Sequence, residues 1–223
     1  MARPVKTEHG KGNVDWTKQQ LINAAAEQFS KLGFQGASLS KIREKVGVKN
    51  STILYHFKSK EGLYLAVTEH LEQSFAQMID DLFQQYEDAS AFERFYQFCN
   101  TLQQWGSTQQ YFTSIAIQEM MNRELHSANS MFYQNFGKRL EQTVDFIKGD
   151  DEEVIWQKVN WKIYIVNVFL SILLGQAVSV AIPIALSISE EDYKQQHINE
   201  VIRSQLLALV NDRSVAEEFL ETK

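Results

Sequence analysis

Lys49, Asn50, Ser51 and Thr52 put a cation, an amide and two hydroxyls in consecutive positions. Those groups can donate to phosphate oxygens and can also meet the donors and acceptors on base edges. Tyr55, His56, Lys58 and Lys60 follow closely, adding a phenol, an imidazole and two ammonium groups suited to a phosphate backbone. Ser38 supplies a further hydroxyl upstream. Together these nine residues form a candidate DNA-binding set. Four of them have a plainer reading: Tyr55 and His56 can pack against a following helix, and Lys58 and Lys60 can be solvated charges.

Residues of this kind recognise DNA only when something presents them, and residues 38–57, SLSKIREKVGVKNSTILYHF, supply the means. Ser38 is placed to cap a short helix running through Val46, with Leu39, Ile42 and Val46 on its inner face. Gly47 offers the positive φ of a tight turn, and Val48 fills the space beneath it. A second short helix follows from about Asn50 to Phe57, burying Ile53 and Phe57. Two short helices joined by a glycine turn make a helix-turn-helix, whose second helix can enter the major groove with its first residues at base edges. Ser59 is placed to cap the next helix, whose free amides suit a phosphate.

Charge supports a polyanion partner for this part alone. The 223 residues carry a net charge of −6, yet residues 1–60 hold eleven Lys/Arg against four Asp/Glu, and the remainder eleven against twenty-four. A basic head on an acidic body follows. Residues 1–14, with Arg3, Lys6, His9 and Lys11, read as a basic flexible arm, either a solvated tail or a segment lying along a DNA groove.

The rest of the chain repeats apolar residues every three or four positions, which predicts an all-α protein. Leu21, Ala25, Phe29 and Leu32 form one stripe, ended by Gly33. Tyr64, Val67, Leu71, Phe75, Met78 and Leu82 form a longer one. Phe132, Phe136, Leu140, Val144 and Ile147 form a third, closed by Gly149. Ile198, Ile202, Leu206 and Leu209 follow Ser189, an N-cap ahead of three acidic residues that suit the helix dipole.

Residues 163–188 contain no charge over 26 positions, long enough to span a bilayer. Asn167, Ser171, Gln176, Ser179 and Pro183 interrupt the run, and no Lys/Arg cluster or aromatic belt flanks it, so a buried or interface helix is the expectation. The lone Cys99 excludes a disulfide framework, and the first residues lack a signal-peptide core, which together point to the cytoplasm. An enzyme is not expected. The five histidines make no HExxH pattern, and there is neither a phosphate-cradling glycine loop nor a GxSxG elbow. Cys99, within FYQFCNTL, reads as a small buried hydrophobe, and no cofactor or metal is called for.

The segments LINAAAEQFSKLGF and IREKVGVKNSTILYHFKSKEGL resemble the N-terminal domain of TetR-type, tetracycline-repressor-like regulators. The resemblance spans about residues 15–75. It joins an Ala-Ala helix, a Gly-Phe turn, a Gly-Val turn, a Tyr-His-Phe cluster and a Ser-Lys-Glu start. It implies a three-helix DNA-binding head over 15–75, a helical ligand-binding and dimerisation body over 76–223, and a homodimer on a palindromic operator. It further implies a repressor released by a small-molecule effector, with activation, or control by a protein partner, as the alternatives. Three departures stand out: Arg43 replaces a small residue, Lys49 replaces a capping Ser so that the cap moves to Asn50 or Ser51, and Leu54 replaces the first of a Tyr pair.

In the body, Phe95, Trp105, Phe112, Phe136, Trp161 and Tyr164, with Gln118 and Asn160 as polar groups, are candidates for a ligand pocket; aromatics at helical spacing also serve as ordinary core. The uncharged run and the helix over 189–210 are expected to form the dimer surface, as the resemblance implies, with Gly175, Ala177 and Ala181 permitting close approach.

Overall fold

In a computed structural model, residues 10–109, 111–121, 131–149 and 159–223 are described. Their regular elements are all helices: α1 (Gly10–Gly36), α2 (Leu39–Val46), α3 (Asn50–Phe57), α4 (Lys60–Gln85), α5 (Ala91–Thr108), α6 (Phe112–Met121), α7 (Met131–Lys148), α8 (Trp161–Ala177), α9 (Ala181–Leu186), α10 (Glu190–Leu209) and α11 (Arg213–Glu221). The all-α expectation holds. The chain divides into two units, one of Met1–Leu71 and Ser114–Leu125, the other of Glu72–Thr113 and His126–Lys223. Residues of α4 and of α6 are therefore shared between the two.

In the first unit, Leu21, Ala25 and Phe29 of α1, Ile42 of α2, Ile53 and Phe57 of α3, and Leu63, Tyr64 and Val67 of α4 are buried. Burying such side chains contributes about 1.5–3 kcal/mol each, which is what holds elements as short as α2 and α3 in helical form. Leu32 departs from its predicted stripe and is 48% exposed. The cause is local: Gly33, at φ 68 and ψ 176, breaks the helical path just beyond it, and the chain after it no longer offers the same inner face. Of the predicted basic arm, residues 1–9 lie outside the described residues, and the segment from Gly10 is already helical.

The second unit packs α5 against α7, α8 and α10. The stripe Phe75, Met78 and Leu82 of α4 is buried here, as are Leu140, Val144 and Ile147 of α7; Gly149 closes α7 at φ 57. The side chain of Phe132 lies outside the described residues. Ser189 caps α10, its hydroxyl accepting the Asp192 N–H at 3.0 Å.

The uncharged run does not form one long helix. It breaks at Val178–Val180 between α8 and α9, and among the described residues no helix is long and apolar enough to cross a membrane. Part of the two segments expected at the dimer surface packs within this chain. Ile198, Ile202, Leu206 and Leu209 of α10 are buried within this same chain. Gly175 faces His197 of α10, where an added Cβ would lie 2.1 Å from the imidazole, so it serves packing within the chain. Ile163, Leu174, Val178, Val180, Ile182, Ile184, Leu186 and Ile188 of the run are exposed, with Ala177 and Ala181 beside them.

Candidate nucleic-acid interface

Gly47 sits at φ 76 and ψ 30, a conformation that costs other residues about 1 kcal/mol or more, and its N–H and that of Val48 close the end of α2 on the Arg43 carbonyl. This turn starts α3 with Lys49, Asn50 and Ser51 exposed and Thr52 half-buried. Ile53 and Phe57, on the opposite side, are in the core. The same eight-residue helix thus has an apolar back and a polar, solvent-facing start.

Its capping differs from expectation. Lys49 itself occupies the N-cap position, at φ −80 and ψ 155, and no side chain caps the helix. The cap does not pass to Asn50 or Ser51, because helical geometry begins at Asn50 and the Thr52 N–H is taken by the Lys49 carbonyl at 3.0 Å. Ser38, half-buried, likewise stands at the N-cap of α2 without a side-chain bond; its carbonyl accepts the Ile42 N–H at 3.1 Å. By contrast Ser59 does cap α4, its hydroxyl accepting the Gly62 N–H at 3.1 Å. A hydrogen bond with that hydroxyl also holds the Glu61 carboxyl below its ordinary range.

Tyr55 is 70% exposed, so its phenol does not pack into the core. His56 is half-buried, its ring edge-on to Tyr55 at 5.1 Å and tilted against Phe57 at 5.8 Å. Lys58 is exposed at φ 67, and its ammonium donates to the Tyr55 carbonyl at 3.0 Å. Lys60 is more engaged than expected. It donates to the Gln35 carbonyl at 3.1 Å and lies 4.9 Å over the Phe34 ring, which ties it to the negative end of α1. Arg43 turns outward to Ser40 at 3.1 Å and to Glu44, and Lys45 pairs with Glu27, so much of the charge on α2 is matched locally.

Two residues that sequence reasoning placed elsewhere, or not at all, join this unit. Gln118, expected in the ligand pocket, donates to the Ser30 carbonyl at 2.8 Å. Buried Glu119 accepts from the hydroxyl of buried Tyr64. Neither pairing leaves a periodic trace in the sequence.

The other pocket candidates fall into two clusters of the second unit. Phe75 gathers Trp105 at 5.4 Å and Phe112 and Phe136 at 6.0 Å, with Phe169 also at 6.0 Å. Phe75, expected only as part of an apolar stripe, and Phe169 were not among the pocket candidates, being indistinguishable in sequence from other helix-spaced aromatics. Apart from these, Tyr164 stands 6.4 Å from Phe95 and 5.9 Å from Trp161, and its hydroxyl donates to the Gln205 carbonyl at 2.8 Å. Asn160 is exposed and caps α8 through the Ile163 N–H at 3.3 Å, so its side chain is occupied by the helix end. Burial pushes the Cys99 thiol up, which suits a packing residue and opposes a thiolate. Among the described residues no group of His, Cys, Asp and Glu could hold a metal.

Residues 21–67 match the profile of the family described as "Bacterial regulatory proteins, tetR family". The chain is similar to the HTH-type transcriptional regulator RutR of Escherichia coli (strain K12), 43% identical over 54 residues, 24% of this chain and 26% of that protein. It is also similar to IcaR of Staphylococcus epidermidis, a negative regulator of the biofilm operon icaADBC, 31% identical over 81 residues, 36% of this chain and 42% of that one. The RutR match thus spans about a quarter of the relative's length. Among solved structures, a TetR-family regulator from Agrobacterium tumefaciens aligns with a TM-score of 0.66 at 12% identity, covering 89% of this chain and 100% of that one. FadR from Bacillus subtilis, in complex with stearoyl-CoA, aligns at 0.60 and 16%, covering 82% and 97%. At such identities the likeness is one of fold.

Proposed function

We propose that the chain is a TetR-family transcriptional regulator, a homodimeric repressor that binds a palindromic operator in the cytoplasm and is released by a small molecule. Residues 15–75 are the DNA-binding head in this reading, residues 76–223 the ligand-binding and dimerisation body, and residues 1–14 a basic arm. The observation that carries the proposal is α3, with an apolar back in the core and Lys49, Asn50 and Ser51 exposed at its start. Asn50, Ser51 and Thr52 read base edges. Ser38, Lys49, Tyr55, His56, Lys58 and Lys60 hold the backbone.

Dimerisation uses the apolar residues left exposed around the end of α8 and along α9, Leu174, Val178, Ile184 and Leu186 among them. A self-complementary patch of this kind suits a twofold axis, and two heads then meet successive major grooves about 34–36 Å apart. The effector enters among Phe112, Phe136 and Trp105, which stand together around Phe75. Support for a small-molecule effector also comes from FadR, a fold neighbour solved with stearoyl-CoA bound.

Release works through α4 and α6, whose residues belong to both units. α4 has 26 residues and so spans about 39 Å at the usual rise. An effector that favours the non-binding arrangement by about 1–3 kcal/mol lowers operator affinity roughly 5- to 150-fold. Fluorescence anisotropy with operator and scrambled DNA tests the head. Tyr55→Phe should weaken binding to both, whereas Thr52→Ala should cost affinity on the operator alone; equal losses for Thr52→Ala on both would remove its base-reading role.

A further inference from the structure

Helix α3 carries three side chains made wholly of hydrocarbon. Ile53 and Phe57 are buried in the first unit, whereas Leu54 is 41% exposed. At the usual 3.6 residues per turn, Leu54 stands between Asn50 and Ser51, about 40° and 60° from them around the axis and one turn further along. Asn50, Ser51 and Tyr55, its exposed neighbours on this helix, all carry polar groups. Leu54 therefore extends no apolar patch along α3 of the kind that docks a protein. A single exposed leucine is ordinary on most of a protein surface. Here it interrupts the polar surface that faces DNA in the reading above, and its chemistry there is specific.

We propose that Leu54 selects thymine, through apolar contact with its 5-methyl group in the major groove. The proposal rests on the reading of α3 as the recognition helix and adds one residue to those that distinguish bases. Of the four bases only thymine presents a methyl group in that groove; the other edges present nitrogen and oxygen donors and acceptors. A leucine side chain has neither donor nor acceptor. Against any other base it strips water from polar atoms and returns no hydrogen bond, so the wrong bases are penalised while the methyl contact is gained. Four residues of helix advance about 6 Å, so the selected thymine lies within about two base pairs of the base that Asn50 meets.

The operator that the full-length wild-type protein selects from random DNA supplies the test. Each thymine of one half-site is replaced in turn by deoxyuridine, which removes the 5-methyl group and keeps every hydrogen-bonding atom, and fluorescence anisotropy follows binding. One position should lose about four-fold in affinity, the value of burying one methyl group. With Leu54→Ala the same replacement should cost under about two-fold, whereas Leu54→Met, which keeps an apolar side chain of similar volume, should retain most of the loss. No sensitive thymine in the wild-type scan would overturn the proposal. So would a sensitivity that survives Leu54→Ala, which would pass the methyl contact to another side chain such as half-buried Thr52. Failure of Leu54→Ala to fold would place the side chain in the core and overturn it equally. The regulator reading fails differently: a wild-type protein that selects no sequence loses its operator and this proposal together, while a selected operator without a sensitive thymine keeps the regulator and removes Leu54 alone.

Discussion

The hydroxyl of Tyr64 on α4 donates to the carboxylate of Glu119 on α6, both buried in the unit that contains the helix-turn-helix. A carboxylate out of water depends on such donors, and losing one leaves an acceptor that water cannot reach. Tyr64→Phe removes only the hydroxyl and keeps the ring, which meets Phe29 edge-on at 4.8 Å. It should lower stability by about 1.5–3 kcal/mol in urea unfolding, the range for a hydrogen bond to a charged group. A cost below about 0.5 kcal/mol would mean that Glu119 is satisfied without it.

Gly175 of α8 faces the imidazole of His197 on α10. A Cβ on Gly175 would come within 2.1 Å of the imidazole, whose Nε2 is 3.0 Å from the Ser171 carbonyl. Gly175→Ala should cost about 1–3 kcal/mol, as overpacking does, and thermal unfolding should show it. The paired substitution Gly175→Ala with His197→Ala should recover part of that loss, a coupling that a surface glycine would not show.

Much of this architecture was readable in the sequence, and where it was not the reasons are physical. Tyr64, Val67, Leu71, Phe75, Met78 and Leu82 are all buried, because a helix lying against a core must repeat its apolar face every three or four residues. Gly33, Gly47 and Gly149, each placed at a helix end, all have positive φ. The exposed start of α3 followed from its run of polar residues, Lys49 to Thr52, ahead of the apolar Ile53 and Phe57. The Tyr64–Glu119 pair did not, being 55 residues apart with no local signal. Neither could periodicity say that Gly175 faces a helix of its own chain rather than a partner, since both readings call for a small residue. Nor could it divide the aromatics between the Phe75 and Tyr164 clusters, which share one spacing.

Lys58 allows affinity and stability to be moved in opposite directions. Its φ of 67 is costly for a residue with a Cβ, by about 1–2 kcal/mol, while its ammonium is exposed beside Tyr55. Lys58→Gly should leave the melting temperature unchanged or raise it. DNA affinity should fall on every sequence, and the slope of log affinity against log salt should drop by about one. Affinity and salt slope equal to wild type would remove Lys58 from the interface.

At the other end of the chain, Lys223 pairs with Glu93 and lies 5.1–5.2 Å over the Phe219 and Tyr96 rings. Burial raises the Glu93 carboxyl, but hydrogen bonds from Lys223 and Gln97 outweigh it and hold the group below its ordinary range. A carboxylate lowered in this way adds stability above its unfolded pKa and loses it as pH falls through the folded value. Lys223→Met should therefore be less stable than wild type at pH 7, and the gap should close on acidification below about pH 4. Melting temperatures across that range check the sign; a gap that widened in acid would refute it.

The central question is whether the exposed start of α3 reads base sequence. Selecting bound fragments from random DNA with the wild-type protein and with Asn50→Ala tests this most directly. Wild type should enrich a palindrome of two half-sites one helical turn apart, and Asn50→Ala should alter the bases enriched within each half-site while keeping their spacing. Enrichment of the same bases by both proteins, or of none by wild type, would contradict it.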